Sequence, residues 1–138
     1  MVGRKELAMP LIADDVEQLE RQAAVLPVAD VAGYLQDALG QRMSAYLAGL
    51  NDTRQVGRYR RPDGPAPTPQ VERRLREGYK VVHMIADCYD EATARNWLFG
   101  TNTRLDDQAP IGVLRGAKDP EDFVIVARAA RQFASADA

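Results

Sequence analysis

A catalytic reading of this 138-residue chain rests on very few side chains. His83 is the only histidine and Cys88 the only cysteine. A lone histidine excludes a multi-histidine zinc site within one chain, and a separation of five along a helix is poor for placing two ligands on one face. Ser44 and Ser135 lack plausible triad partners, and no glycine-rich phosphate loop follows a strand. Asp106 and Asp107 form a carboxylate pair, but adjacent loop acids are ordinarily solvated or capping, and metal binding there is the weaker alternative. The expectation is a protein without catalytic residues, metal or cofactor, and not an enzyme. Cys88 lies in an apolar stretch, as a buried inert thiol does in a reducing compartment. No apolar run is long enough for a signal peptide or a membrane span, so the expected location is the cytoplasm, with no membrane partner.

The arginines offer more chemistry. Eight basic residues (Arg54, Arg58, Arg60, Arg61, Arg73, Arg74, Arg76 and Lys80) stand against three acidic ones between residues 53 and 80, within a chain of formal net charge −2. Such asymmetry points to one surface that addresses a polyanion. Two short helices, about residues 41–50 and 53–61, are joined by a tight turn at Asn51 and Asp52, and the second is rich in arginine. This is the plan by which a recognition helix enters a major groove. Arg54, Gln55 and Arg58 are the candidates for base edges, because arginine reads guanine and glutamine reads adenine bidentately. Arg60, Arg61, Arg73, Arg74 and Arg76 are the candidates for phosphates. The competing reading is an ordinary solvated basic helix. Gly57, inside that helix at a cost of about 1 kcal/mol against alanine, either permits close backbone approach to DNA or marks a helix that has left that role.

These residues need a helical frame, and the periodicity supplies one. Apolar side chains recur at helical spacing in Val16, Leu19, Ala23 and Leu26, then in Val28, Val31, Leu35 and Leu39, with Pro27 between the two runs. Met43, Tyr46, Leu47 and Leu50 are the expected inner face of the third helix. Asp52 is the expected cap of the fourth, with Gln55 reaching back. Five prolines and glycines break the chain over residues 62–69, and Thr68-Pro69 opens a long helix to residue 89 with two apolar stripes, as expected of a central helix covered on two sides. Asp90 caps a helix over 91–99, a loop follows to 109, and a short helix spans 110–115. Asp119-Pro120 opens the last helix, whose expected buried face is Phe123, Val126, Ala127, Ala130 and Phe133. No strand is expected, and the fold class is all-α.

From Leu39 onward the chain resembles actinobacterial members of the Xre/MbcA/ParS antitoxin family. One part of the likeness is an Xre-like helix-turn-helix over residues 43–59, with Tyr59 and Pro62 where the family commonly has a tryptophan and then a glycine. The other is the run from Thr93 through Trp97-Leu98-Phe99, then Asn102, Leu105, Pro110 and Leu114-Arg115-Gly116. The resemblance implies a C-terminal module that covers the active site of a RES-fold toxin acting on NAD, and autoregulation by DNA binding. On that reading the organisation is an N-terminal arm (1–12), N-terminal helices with a helix-turn-helix (13–61, the motif from about 39), a connection (62–69) and a toxin-binding module packed against it (70–138). Trp97, Leu98, Leu105, Pro110 and Leu114 form the module core. Contact with the toxin falls to Asn102, Arg104, Asp106, Asp107, Arg115, Arg128, Arg131 and Gln132. The assembly expected is a homodimer or a hetero-oligomer with toxin. The alternatives are a stand-alone helix-turn-helix regulator without a toxin partner, or an interaction module without DNA affinity.

Overall fold

Prolines and short polar caps punctuate the chain, and the segments between them coil. The computed structural model describes residues 13–135: α1 (Ala13–Val25), α2 (Val28–Leu39), α3 (Gln41–Ala48), α4 (Thr53–Tyr59), α5 (Pro69–Cys88), α6 (Glu91–Phe99), a single 3-10 turn (Thr103–Leu105), α7 (Pro110–Gly116) and α8 (Pro120–Ser135). Among the described residues no strand forms, and the fold is all-α as expected. The expected N-terminal arm, and the last three residues, lie outside the described residues. No helix among the described residues is long and apolar enough to cross a membrane.

The caps show why the helices begin where they do. Thr68 Oγ1 accepts from the Val71 N–H at 3.3 Å, with Pro69 in the first helical position. Asp90 Oδ1 accepts from both the N–H and the hydroxyl of Thr93, at 2.8 and 2.7 Å. Asp52 caps α4 through the Arg54 N–H at 2.9 Å, but the reciprocal arm expected from Gln55 is not made, since that amide donates to the Tyr59 hydroxyl instead. At α8 the returning half of a capping box is the one made: Asp122 Oδ2 accepts from the N–H groups of Lys118 and Asp119 at 3.1 and 3.2 Å.

Helix α5 is the axis on which both halves are built. It packs against α1, α2 and α3 from the first half and against α6, α7 and α8 from the second. Its double apolar stripe is therefore covered twice: Leu75, Val81, Val82 and Ile85 are fully buried, together with Leu35 and Leu47 before them and Leu98, Leu114 and Val126 after them. One continuous hydrophobic cluster runs through all of these, so the connection at 62–69 does not divide two cores. Some inward expectations change, with Leu26, Val28, Met43, Leu50 and Phe133 only partly buried against the cluster. Tyr46 is 42% exposed, with the Arg115 guanidinium stacked over its ring, and Ala127 is only half-buried.

Where α3 crosses α5 the contact is close enough to require glycine. A Cβ on Gly78 would lie 2.7 and 2.8 Å from the two terminal methyls of the buried Leu47. On an exposed helix Gly→Ala is worth about 1 kcal/mol of stabilisation. Gly78→Ala is expected to reverse that sign and destabilise by about 1–3 kcal/mol through overpacking, read as a lower urea midpoint at unchanged slope.

Candidate functional site

The basic residues of the 53–80 stretch do not form one surface. Arg74 is buried on α5; its Nη2 donates to the Ala117 carbonyl at 2.8 Å and its Nη1 to that of Ala48 at 3.4 Å. Burial first, and the neighbouring Arg115 charge second, pull its pKa below the ordinary arginine value. Arg76 Nη1 donates to the carbonyls of Ala23 and Leu26 at 2.9 and 2.7 Å, closing the end of α1, while its Nε donates to Glu72 at 2.8 Å. The expectation that Arg74 and Arg76 bind phosphates is thus corrected. Both Nη donors of Arg74 and the Nη1 of Arg76 are engaged by main-chain carbonyls at helix ends, where a cation is favoured by the helix dipole. Arg73 bonds Glu77 and sits 4.7 Å over the Phe123 ring, so it belongs to the α5–α8 side. Lys80 is held between Glu77 and Glu20.

What remains is the outer face of α4. Val56 and Tyr59 are buried on its inner side, and the buried Gln36 amide from α2 donates to the Val56 carbonyl at 2.9 Å and to the Ala32 carbonyl at 3.1 Å. That glutamine is a polar core residue that periodicity does not single out. Its only sequence signal is a position inside the apolar face of α2, next to Leu35. Gly57 faces Gln41 of α3, and a Cβ there would collide with the Gln41 amide. The close neighbour of Gly57 is thus a side chain of α3, a contact that favours neither reading of this glycine. Pro62 lies beyond the end of α4 and so does not interrupt it.

Arg54, Arg58 and Arg61 are exposed, at spacings of four and three. Arg58 Nη1 donates to Gln55 Oε1 at 2.7 Å, which orients both candidate base-reading side chains together. Arg60 pairs with Asp37 of α2 at 3.1 Å, and Arg54 with its own cap, Asp52, at 3.2 Å. Exposed Arg42, beside Gln41 at the start of α3, adds a cation that the sequence pattern does not single out.

A second set of candidates converges elsewhere. The loop after α6 closes on itself: the Asn102 N–H donates to the Gln108 carbonyl at 3.1 Å, and the Asp107 N–H to the Asn102 carbonyl at 2.9 Å. Asn102 Oδ1 accepts from the Arg104 N–H at 2.9 Å, and buried Leu105 anchors the loop to the core. Asp106 and Asp107 turn the chain with φ of 55° and 63°, a region that aspartate tolerates better than most residues. Against this loop lies α8. A groove of about 410 Å³ is lined by Trp97, Asn102, Arg104, Gln132 and Phe133, and it adjoins another of about 270 Å³ lined by Arg104, Ile125, Arg128 and Gln132. Four of the eight residues expected to meet a partner therefore share one surface: Asn102, Arg104, Arg128 and Gln132. Arg131 lies around α8, in a groove shared with Arg73, Lys80 and exposed Val124. Asp106 and Asp107 are exposed on the same loop. Arg115 is elsewhere, at the end of α3, with its donors engaged there.

The module core is also refined. Leu98, Leu105, Pro110 and Leu114 are buried, but Trp97 is only half-buried, and its ring packs 6.3 Å from that of Phe133 along the groove wall. His83 joins Tyr34 and Tyr79 in a three-ring cluster, stacked on Tyr34 and tilted against Tyr79 with both centroids 5.3 Å from its own. Its Nδ1 comes within 2.9 Å of Asp87 Oδ2 without the alignment of a hydrogen bond. Both tyrosines are pushed above the ordinary phenol pKa, chiefly by burial.

The Arg54 side chain, followed by the Arg54 N–H, holds the Asp52 carboxyl below the ordinary carboxylate range. With a depressed folded pKa, this group's contribution to stability is complete above its unfolded value and is lost as pH falls through the folded one. Arg54→Ala is expected to move the Asp52 midpoint upward in an NMR-followed titration; an unchanged midpoint would contradict the pairing. Compared with known proteins, the chain matches no family model, no curated protein and no solved structure.

Proposed function

We propose that this protein is a non-catalytic adaptor of the antitoxin type, binding a RES-fold toxin through the loop–α8 surface and operator DNA through α4. The observation that carries the reading is the convergence of Asn102, Arg104, Arg128 and Gln132 on one surface while Arg54, Gln55 and Arg58 share another. These two surfaces belong to helices on different neighbours, α4 on α2 and α3, and α8 on α5 and α7. The resemblance of residues 43–59 and 93–116 to the Xre/MbcA/ParS family supports the same assignment. The α3–turn–α4 unit is the helix-turn-helix of this reading, and the cytoplasm its place of action.

Occlusion is the mechanism. A half-buried aromatic, Trp97, floors a groove whose rim carries guanidinium and amide groups. Such a patch suits an interface with an apolar centre and a polar rim. Its sign also constrains the partner. Arg104 and Arg128 are exposed on the rim, so the toxin surface that meets them carries carboxylates or backbone carbonyls. The toxin's reaction is stopped by blocking access, because nothing in this arrangement calls for chemistry by the adaptor.

Deleting the chain after Ala127 is a poor test, because Ala129, Ala130 and Ala134 of α8 are part of the core. Charge reversal is the clean one. Arg104→Glu with Arg128→Glu is expected to abolish co-purification with the product of the adjacent reading frame while leaving DNA retention intact. Arg54→Ala with Arg58→Ala is expected to do the converse, weakening duplex binding at least about tenfold. Binding of the unaltered protein to duplex should fall steeply between low and moderate salt. Salt-dependent DNA binding with no co-purifying partner would favour a stand-alone regulator, and a partner with no DNA binding would favour an interaction module.

A further inference from the structure

Three helices bring polar ends together where α3 stops. Gly49 follows α3 with φ of 84°, and the turn it makes already uses two of α3's last carbonyls, the Gly49 N–H donating to that of Tyr46 at 3.0 Å and the Leu50 N–H to that of Ala45 at 2.9 Å. Arg115 reaches this turn from α7. Its Nη1 donates to the Tyr46 carbonyl at 2.8 Å and to that of Leu50 at 3.4 Å, and its Nη2 donates to Asn51 Oδ1 at 3.1 Å. Its guanidinium also lies 4.5 Å from the Tyr46 ring centroid. Arg74 supports the same turn from behind through the Ala48 carbonyl, and a Cβ on Gly49 would run into the Arg74 guanidinium. Among the described residues, no carboxylate is a hydrogen-bond partner of either arginine. The carbonyl ends of α3 and α7 are what face the two cations.

Asn51 is the residue before Asp52, and Asp52 is the cap from which α4 starts. The direction in which α4 leaves the turn is therefore tied to a side chain more than sixty residues later in the chain. Arg115 is not a free rim residue, and the expectation that it contacts a toxin gives way to a different role. We infer that Arg115 is a positioning residue for DNA recognition: it fixes the turn between α3 and α4, and so the pose of Arg54 and Arg58, without touching the nucleic acid. The inference rests on the DNA-binding reading above. Lysine would keep the charge but could not reach both main-chain carbonyls and the Asn51 amide with one planar fork.

The test measures the full chain on a duplex spanning the promoter of its own gene, across a range of salt. Arg115→Ala, Arg115→Lys and Asn51→Ala are each expected to weaken binding about tenfold with the salt slope unchanged, whereas loss of a phosphate contact would lower the slope by about one. The double variant of Arg115 and Asn51 is expected to be no weaker than Arg115→Ala alone, because both remove one coupled interaction. Backbone amides of residues 50–54 should exchange faster in Arg115→Ala, while those of 101–108 keep their protection. Unaltered affinity in Arg115→Ala, or a slope lowered by one, overturns this inference and leaves the DNA reading standing. Failure of the unaltered protein to bind any duplex overturns the DNA reading and this inference with it. If Arg115→Ala does not fold, Asn51→Ala decides by the same criteria.

Discussion

The fold depends on arginines that close the C-terminal ends of helices. A helix leaves four carbonyls unsatisfied at its end, and in this protein glycine alone does not cover them. Arg76 of α5 closes α1, Arg95 of α6 donates to the Ala38 carbonyl near the end of α2 at 2.9 Å, Arg115 of α7 closes α3, and Arg74 of α5 spans the ends of α3 and α7. In each case the cation comes from the C-terminal half of the chain, and apart from the second carbonyl of Arg74 the carbonyls belong to the N-terminal half. Hydrophobic burial holds the halves together without direction, whereas these bonds set their register. The neutral-looking net charge of the chain conceals this, because the arginines are balanced by helix ends as much as by carboxylates.

That arrangement also explains how the functional surfaces become small and separate. Arg74 and Arg76 are engaged internally, and Arg73 and Lys80 are paired with Glu77, which leaves exposed arginines on α4 with its flanks and on the outer side of α8. The first carries a hydrogen-bonded arginine–glutamine pair suited to reading base edges, and the second an aromatic-floored groove suited to a protein. A residue such as Trp97 can then wall the groove and still pack, partly buried, against the core.

Much of the frame is legible in the residues, and the reasons are local. Pro27, Thr68-Pro69, Asp90 and Asp119-Pro120 act within a few positions of themselves, so helix boundaries can be read to within a residue or two. The inward faces of α2 and α5 follow from periodicity for the same reason. What cannot be read is where long side chains end. Arg74 and Arg76 look no different from Arg54 or Arg61 in the sequence, yet they meet carbonyls between 26 and 53 positions away. Tyr46 carries the period of a core residue, and it turns outward beneath a guanidinium that arrives from α7. Gln36 escapes notice because a buried amide has no pattern of its own until the carbonyls it satisfies are in place.

The sharing of α5 has a thermodynamic consequence for both surfaces. With α5 buried against helices of both halves, neither half can unfold completely without exposing apolar area that belongs to the other, which couples their global unfolding while a single turn can still open locally. A ligand held on either side then draws the whole population toward the folded state by mass action. Under the proposed function, occupancy at α8 thereby lowers the globally unfolded fraction that α4 shares, and occupancy at α4 does the same for α8, even if no atom of the backbone changes position.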